Sequence, residues 1–462
     1  MSLLIRASRR SLLVLLFAQL AFFVPAVRAD DGDLDLSFGL FGRAVRGSGA
    51  AYEVLARVDG SLRLAIRSGS DVGVLALKEN GAVDHSFGDD GLRMTPVFPG
   101  GDTSDQVVAL FERPTGDLLL VVQADDEGLG TGTEPVLVQL TADGELDESF
   151  GGDGIRTLVG DSETHVYAAA LQSDGKVVLA GLCAGCVESG HEDTFVARFL
   201  TTGAADPAFG GAVRAGFVFF NASELGEKYD YATSVAIDDS GKIVLGGQTD
   251  LDEDQYPYVA RRLSNGSPDP SFSGSNGIQT LLDLPFQHVT ALAVDPVTDR
   301  VMVATGRGSA QYPIENQDGA VVRLTATGAL DNEWSGDGIF PFDLEEGTYL
   351  SRLLIQTDGK VVAAGSINAN GSPTNDFLFA RFRTSGIYDV TFDGNGLRRI
   401  KFDLETDGRD WCESATLSGG RIVAIGVATE GMGVNIAVLR VDIALVFAGG
   451  FESHNTHGWL GS

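Results

Sequence analysis

The sequence predicts an all-β fold, a seven-bladed β-propeller of four-stranded antiparallel blades. The main observation is a short phrase, Gly-x-Leu-Asp-x-Ser-Phe-Gly in its clearest copy, that recurs along the 462-residue chain. The copies lie about 59 residues apart, a period typical of arrays of supersecondary units. Between them, short apolar runs alternate with turn residues and show no helical periodicity, which indicates radially repeated sheets. The seven copies start at Gly32, Gly81, Gly144, Gly203, Gly266, Gly328 and Gly386.

The third repeat shows how each unit divides into strands. The phrase from Gly144 to Gly154 leads into a short strand, and further strands are predicted at Val166 to Leu171, Val177 to Gly181 and Phe195 to Phe199. The first two of these further strands meet at Asp174-Gly175-Lys176, and Asp-Gly between apolar β-branched runs favours a hairpin. A β-solenoid is the alternative, but its rungs are normally shorter and lack recurring hairpins. In five repeats a basic residue follows the turn and is expected to be a solvated strand-end charge: Lys176, Lys242, Arg300, Lys360 and Arg421.

Both ends of the chain fall outside the predicted propeller, which we expect to span residues 30–442. Residues 1–29 carry Arg6, Arg9 and Arg10, then an apolar run and small residues before Ala29, the pattern of a secretory signal peptide. A membrane anchor is the alternative, but the apolar run is shorter than the roughly 20 residues that a spanning helix needs. Residues 443–462 form a tail with Phe447, Gly450-Phe451-Glu452 and Trp459, which is similar to the Phe-x-x-Gly-Phe-Glu…Trp tails that end many exported gammaproteobacterial proteins. These features predict secretion, or a place in the envelope of a Gram-negative bacterium.

The repeat also resembles a known family. Leu146 to Gly151 reads Leu-Asp-Glu-Ser-Phe-Gly, and Leu171 to Gly181 reads Leu-Gln-Ser-Asp-Gly-Lys-Val-Val-Leu-Ala-Gly. With Leu354 to Gly365, these segments are similar to the delta-60 repeat of exported bacterial proteins, from residue 32 to about 442. The chain departs from that pattern at Ser61, which replaces the lysine, and at Trp334, which replaces the phenylalanine. The resemblance implies a secreted propeller-like array and supplies no catalytic residues.

The residues that the phrase repeats are predicted to be structural, because a residue needed seven times cannot belong to a single active site. We expect each aromatic to fill the core between blades, and each aspartate to cap the adjoining turn or to pair with a nearby arginine. One calcium ion per blade is the alternative, since Gly-Asp-Gly clusters offer oxygen ligands; no other cofactor is implied. The repeated residues are Asp35, Asp84, Asp147, Asp206, Asp269, Asp331 and Asp389, with Phe38, Phe87, Phe150, Phe209, Phe272, Trp334 and Phe392.

Recognition is expected where the repeats differ. In a four-stranded antiparallel blade, the short Asp-Gly turns emerge at one end and the long, variable connections emerge at the other, and loops on a rigid scaffold often carry binding residues. The variable connections are acidic with scattered Tyr and Trp, so they predict a binding face for a basic protein or polymer; soluble insertions without a ligand are the alternative. The candidate residues are Asp125, Asp126, Asp252, Glu253, Asp254, Tyr256, Glu345, Glu346, Asp410 and Trp411.

Cysteine usage agrees with an exported chain. Cys183 and Cys186 are spaced Cys-x-x-Cys and Cys412 is left over, so the first two are predicted to form a small disulfide. A zinc site with His191 and neighbouring acids is an alternative, although no fourth ligand is evident locally. Redox catalysis is another alternative.

The net charge of −31 repels nucleic acid and anionic lipid, so neither is expected as a partner. No Ser, His or carboxylate spacing indicates a catalytic site. The sequence therefore favours a binding or scaffolding propeller and no enzyme. The alternatives are a hydrolase or lyase that uses carboxylates on the same face, and a purely structural surface protein.

Overall fold

The computed structural model describes residues 31–97, 105–126, 132–158, 164–186, 191–211, 214–222, 229–251, 254–282, 284, 287–306, 319–342, 344, 347–368, 375–402, 404, 408–431 and 433–443. The predicted signal peptide, residues 1–29, and nearly all of the predicted tail lie outside this part. No helix among these residues has the length and apolar character needed to cross a membrane.

The described residues form seven four-stranded antiparallel sheets, which confirms the predicted propeller. Blade 1 comprises β2 (Ala50–Ala56), β3 (Leu62–Ser68), β4 (Asp71–Leu77) and β5 (Leu92–Thr95). Blade 2 comprises β6 (Gln106–Glu112), β7 (Leu118–Asp126), β8 (Gly132–Leu140) and β9 (Ile155–Thr157). Blade 3 comprises β10 (Thr164–Leu171), β11 (Val177–Ala184), β12 (Glu192–Phe199) and β13 (Phe217–Phe220).

The remaining blades repeat this order. Blade 4 comprises β14 (Asp230–Ile237), β15 (Ile243–Leu251), β16 (Asp254–Arg262) and β17 (Ile278–Thr280). Blade 5 comprises β18 (His288–Val294), β19 (Val301–Gly306), β20 (Gly319–Leu324) and β21 (Ile339–Phe342). Blade 6 comprises β22 (Thr348–Ile355), β23 (Val361–Asn368), β24 (Asn375–Phe382) and β25 (Leu397–Ile400).

Blade 7 closes the ring with strands from both ends of the chain. β26 (Asp410–Ser418), β27 (Arg421–Glu430) and β28 (Gly433–Asp442) come from the last repeat, and β1 (Arg43–Ser48) pairs with β28 as the outer strand. Each phrase therefore precedes the outer strand of a blade whose three inner strands belong to the repeat before it. The sequence alone did not predict which strand closes the ring. Because an unpaired sheet edge is a liability, joining the two ends in one sheet seals the ring.

Two ends of the propeller follow from this topology. The first strand of each blade lies innermost and lines the central channel. The end with the short turns between first and second strands also carries the phrases; we call it the turn face. The opposite end carries the long connections between second and third strands and between successive blades; we call it the variable face.

The core lies between neighbouring blades. Phe38 of blade 7 is fully buried in a cluster with Leu64 and Ile66 of blade 1. A Cβ on Gly81, the first residue of the next phrase, would lie only 2.9 Å from the Phe38 ring, and this glycine has φ 80°, where side chains are strained. At the closing junction, a Cβ on Gly32 would lie 3.3 Å from the Phe392 ring. The aromatic of one phrase thus packs on the glycine of the next around the ring.

Candidate functional site

The seven phrases build a structural ring that we call the arginine belt. In each blade an arginine guanidinium lies over the phrase aromatic, with its Cζ atom 4.7–5.9 Å from the ring centroid. Such cation–π contacts are strongest where both partners are desolvated. The pairs are Arg63–Phe87, Arg113–Phe150, Arg198–Phe209, Arg261–Phe272, Arg323–Trp334, Arg381–Phe392 and Arg440–Phe38.

Blade 4 shows the contacts of one belt arginine. Arg261 donates from Nε to Asp269 Oδ2 at 2.7 Å and from Nη1 to the carbonyl of Ala326 in blade 5, also at 2.7 Å. Asp269 in turn accepts from the backbone N–H and the hydroxyl of Ser271. The phrase aspartate therefore both caps its turn and pairs with an arginine, and the arginine links adjacent blades.

The basic residue after the turn was expected to be solvated, and this expectation is wrong. Lys242 Nζ lies 3.1 Å from Asp269 Oδ2, and the equivalent residues of blades 3, 5, 6 and 7 contact their own phrase aspartates in the same way. Since these aspartate side chains are only 2–7% exposed, a second cation compensates the buried charge.

Two blades obtain the guanidinium from another position. In blade 1 the third strand carries Ala76 where blades 3–7 have arginine, and Arg63 on the neighbouring strand pairs directly opposite it and covers Phe87. In blade 2 that position is Gln139, which donates to Asp147, and Arg113 covers Phe150 from the turn. The arrangement around the aromatic is retained although the sequence position of the arginine changes.

The residues that line the channel differ between blades, whereas the arginine belt is present in every blade. Every innermost strand has a β-bulge at the same place, and a bulge re-aims side chains and is common beside functional sites. The extra residues at these bulges are Tyr52, Val108, Tyr167, Thr233, Thr290, Ser351 and Glu413.

Three charged side chains and one serine gather at the bulges of blades 6, 7 and 1. We call this group, which consists of Glu53, Arg352, Glu413 and Ser414, the channel cluster. Arg352 of blade 6 pairs with Glu53 of blade 1 across the intervening blade. Ser414 of blade 7 donates to the other oxygen of Glu53 at 3.0 Å. Blades 2, 3 and 5 carry alanine at the equivalent positions, so the cluster faces a wall of small residues.

Glu413 is the channel-cluster member without a hydrogen-bond donor among the described residues. Burial raises the pKa of its carboxyl to about 7, although the Arg352 charge acts in the opposite direction. Its charge also contributes to raising the pKa of the Tyr349 hydroxyl, which burial takes to about 12. A carboxyl that titrates near neutral pH is suited to hydrogen bonding or proton transfer.

Aromatic rings surround the channel cluster toward the variable face. Tyr349 and Trp411 lie with ring centroids 5.9 Å apart, and Tyr52 lies within the range of the Glu413 charge. On the opposite wall, Tyr167 and Tyr231 meet edge to face at 5.8 Å. The mouth is thus lined by tyrosine and tryptophan, whereas the phrase aromatics of the core are phenylalanine in six of seven copies.

The structure places the predicted binding residues in different settings. Asp254 is exposed at the start of β16 and Tyr256 is partly buried in the same strand. Asp410 lies in a strand and not in the loop that we expected: it is 4% exposed, and its Oδ2 accepts the N–H of Phe402 at 2.7 Å. Trp411 lines the channel mouth. Asp125 and Asp126 end β7, and their side chains, like Asp252, Glu253, Glu345 and Glu346, lie outside the described part.

The cysteines and metal candidates can be placed in part. Cys183, near the end of β11, and Cys186, in the turn that follows, form a disulfide with Cα atoms 5.7 Å apart, and Cys412 is a buried thiol. Within the described residues no group of three or more His, Cys, Asp and Glu is placed to hold a metal ion.

Sequence reasoning did not identify the channel cluster. The signal was adjacent polar residues within an otherwise alternating strand, as in Tyr52-Glu53, Ser351-Arg352 and Glu413-Ser414. Strict alternation breaks at a bulge, so these pairs marked the bulge and the channel wall together.

Comparison with solved structures shows the fold alone. The polysaccharide lyase Uly1 is 12% identical, with a TM-score of 0.52, over 88% of this chain and 92% of that one. A virginiamycin B lyase from Staphylococcus aureus is 9% identical, with a TM-score of 0.44, over 86% and 99%. Sqt1 from Chaetomium thermophilum is 12% identical, with a TM-score of 0.45, over 84% and 81%. No curated protein sequence is significantly similar to this chain.

A family model described as a domain of unknown function (DUF5122) beta-propeller matches residues 116–150, 172–209, 239–272 and 356–392. Each match runs from the turn between the first two strands of a blade to the phrase aromatic. These four matches and the seven-bladed fold support a β-propeller built from repeats of this kind.

Proposed function

We propose that this protein is an exported binding propeller of the delta-60 repeat type that takes up its ligand at the channel mouth on the variable face. One observation carries the proposal: aromatic and charged side chains that differ between blades converge at the bulges of the inner strands. Residues that repeat in every blade maintain the ring, so recognition falls to those that differ.

The chemistry of the mouth supports ligand binding. Tyr52, Tyr349 and Trp411 each offer an apolar ring with a polar tip, a combination enriched in binding surfaces. Beneath them, Arg352 and Glu53 satisfy each other, which leaves Glu413 as the carboxyl available to a ligand. Apolar walls with a few convergent polar groups are typical of ligand sites.

The net charge of the protein and its cellular compartment limit the class of partner that it can bind. The net charge of −31 favours a protein or polymer that carries basic groups. The signal-peptide pattern and the Cys183–Cys186 disulfide support an extracytoplasmic location, since disulfides persist in oxidising compartments.

The proposal is tested by screening the tagged mature protein on arrays of glycans and basic peptides. The test uses the double variant Tyr349→Ala/Trp411→Ala. The control is Val58→Ala, which replaces a fully exposed residue on the turn face. We expect ligands of the native protein to bind the double variant at least about tenfold more weakly and the control equally. Undiminished binding by the double variant would contradict the proposal.

A second candidate function is a hydrolase or lyase at the same mouth. The observation that favours it is Glu413, whose pKa of about 7 would let it donate a proton to a leaving group, next to Arg352 and Tyr349. Incubation with any polymer found to bind would decide it. Cleavage products that disappear in Glu413→Gln, with binding retained, would support an enzyme; intact polymer after prolonged incubation with the native protein would exclude one for that ligand.

A further inference from the structure

The turn face contains one irregular sector, between blades 1 and 2. A cavity of about 650 Å³ opens there, and Ser61, Asp84 and Ala142 are among the residues that line it. Blade 1 differs from blades 3–7 at two belt positions that face this cavity. Ser61 stands where they have lysine or arginine, and Ala76 stands where they have the belt arginine.

The acceptor groups that the lysine and the arginine contact in other blades are still present at this junction. In blade 4, Lys242 Nζ lies 3.1 Å from Asp269 Oδ2, and Arg261 donates to the carbonyl of the next blade's turn. The equivalent acceptors at the blade 1–2 junction are Asp84 Oδ2 and the carbonyl oxygen of Ala142. Among the described residues, Arg63 is the one cation within ion-pair distance of Asp84, at 3.6 Å, and no blade 1 arginine donates a hydrogen bond to the Ala142 carbonyl.

Arg63 restores only part of the lost contacts. Its guanidinium covers Phe87 at 4.9 Å and donates from Nη1 to its neighbour's carbonyl, the oxygen of Leu62. Asp84 remains 18% exposed, whereas the phrase aspartates of blades 3–7 are 2–7% exposed. The space taken by lysine in other blades is therefore open to solvent and faces a carboxylate.

The charge of the cavity suits a cation. Three cationic residues also line the cavity. Arg57 forms an ion pair with Glu112 at 2.6 Å, and Arg63 lies 3.6 Å from Asp84. Lys78 is exposed and acts on Asp84 through its charge, without an ion pair to it within the described part of the chain. Four acidic residues line the cavity: Asp59, Glu79, Asp84 and Asp143. An ammonium group that enters beside Asp84 would meet the acceptors that the lysine of blades 3, 4 and 6 meets.

We propose that this cavity, which we call the ammonium socket, binds a lysine side chain of a basic polypeptide. The ligand's ammonium takes the place of Lys242 in blade 4, with Asp84 as counter-ion and the Ala142 carbonyl as a further acceptor. The socket lies on the turn face, so the inference is independent of the ligand proposed for the channel mouth.

Exchange of serine and lysine between blades tests the socket. Ser61→Lys fills it from within, and Lys242→Ser opens a matched socket at Asp269. The probes are n-butylammonium chloride and a short oligolysine peptide, against sodium chloride at equal ionic strength. Binding is followed by calorimetry and by the backbone amide shifts of Asp84 and Ser86, and thermal melts establish that each variant is folded.

We expect oligolysine to bind the native protein about tenfold more tightly than Ser61→Lys, and butylammonium to shift the Asp84 and Ser86 amides only where Ser61 is retained. Lys242→Ser is expected to add a second binding event at blade 4. Equal oligolysine affinity in the native protein and Ser61→Lys would mean diffuse attraction to the acidic surface and would overturn the inference. Tyr349→Ala/Trp411→Ala should leave these results unchanged, which separates this test from that of the channel.

Discussion

The arginine belt and the channel cluster use the same kinds of residue in opposite ways. In the belt, Arg261 and Lys242 fully compensate Asp269, and the aspartate caps its own turn as well. In the channel, Arg352 compensates Glu53, while Glu413 lacks a hydrogen-bond donor in the described part of the chain. A compensated buried charge fixes a structure, whereas an uncompensated one raises the energy of the ground state and is typical of functional sites.

The belt also shows that the fold requires a position in space and not a position in sequence. Arg63, Arg113 and Arg440 reach their phrase aromatics from a second strand, a turn and a third strand. No such replacement occurs around the channel cluster, whose charged residues have no counterpart in blades 2, 3 and 5. The belt is maintained by any route that delivers a guanidinium, and the channel wall is free to diverge.

The largest expected effect comes from removing a belt arginine. Arg261→Ala breaks the links to Asp269, Ser271 and the next blade, and we expect it to lower the free energy of unfolding by about 3 kcal/mol. Gln139→Ala, the same position in blade 2, is the matched control and should cost about 1 kcal/mol, because Arg113 supplies the guanidinium there. Chemical denaturation measures both, and equal losses would contradict the assignment of the bridging role to the arginine.

Most of the ring was predictable because its signals are local. The phrase, the Asp-Gly turns and the strand-length apolar runs each lie within a few residues, so strand number and blade number followed from sequence. The belt was predictable only in part: Asp269 could be expected to cap its turn, but the lysine that pairs with it lies in a different strand. Arg63 supplies the guanidinium that is missing at Ala76. That it can do so depends on the pairing register of two strands, which the sequence of a single repeat does not show.

The channel cluster was beyond prediction for a related reason. Arg352 and Glu53 are 299 residues apart in sequence and meet only because the ring closes. Their approach also depends on bulges, whose place is set by pairing with the second strand. Asp410 is an error of the opposite kind, in which a loop was predicted where a strand lies. An acidic residue beside Trp411 suggested a variable loop, but Asp410 is the first residue of β26.

The second prediction concerns Glu413, and its sign follows from linkage. The folded pKa of about 7 lies above the ordinary value of 4.5 for a glutamate carboxyl, so the folded protein retains a proton that the unfolded chain loses. Stability therefore falls as the pH rises between these values, and the full penalty applies above pH 7. Glu413→Gln removes this penalty. We expect the free energy of unfolding of the variant to exceed that of the native protein by about 1–3 kcal/mol at pH 8, because water in the channel screens part of the effect.

Thermal unfolding at pH 4.5 and pH 8 measures this difference. The gain should be present at pH 8 and nearly absent at pH 4.5, where Glu413 is protonated in the folded protein and half protonated in the unfolded chain. Glu148→Gln, at an exposed phrase position, controls for the loss of one negative charge. An identical change in melting temperature at both pH values would place Glu413 in an ordinary solvated setting and remove the contrast with the belt.

The smallest expected effect is that of calcium on the belt. A calcium ion needs about six to eight oxygen ligands, but Asp269 Oδ1 accepts from Ser271 and Asp269 Oδ2 contacts Arg261 and Lys242. A calcium ion would have to displace two cations in each of five blades, so we expect millimolar calcium to leave the melting temperature unchanged. A rise that persists in the presence of equal magnesium would show that the phrase aspartates exchange their internal cations for a metal. The ring would then be held by ions and not by the belt.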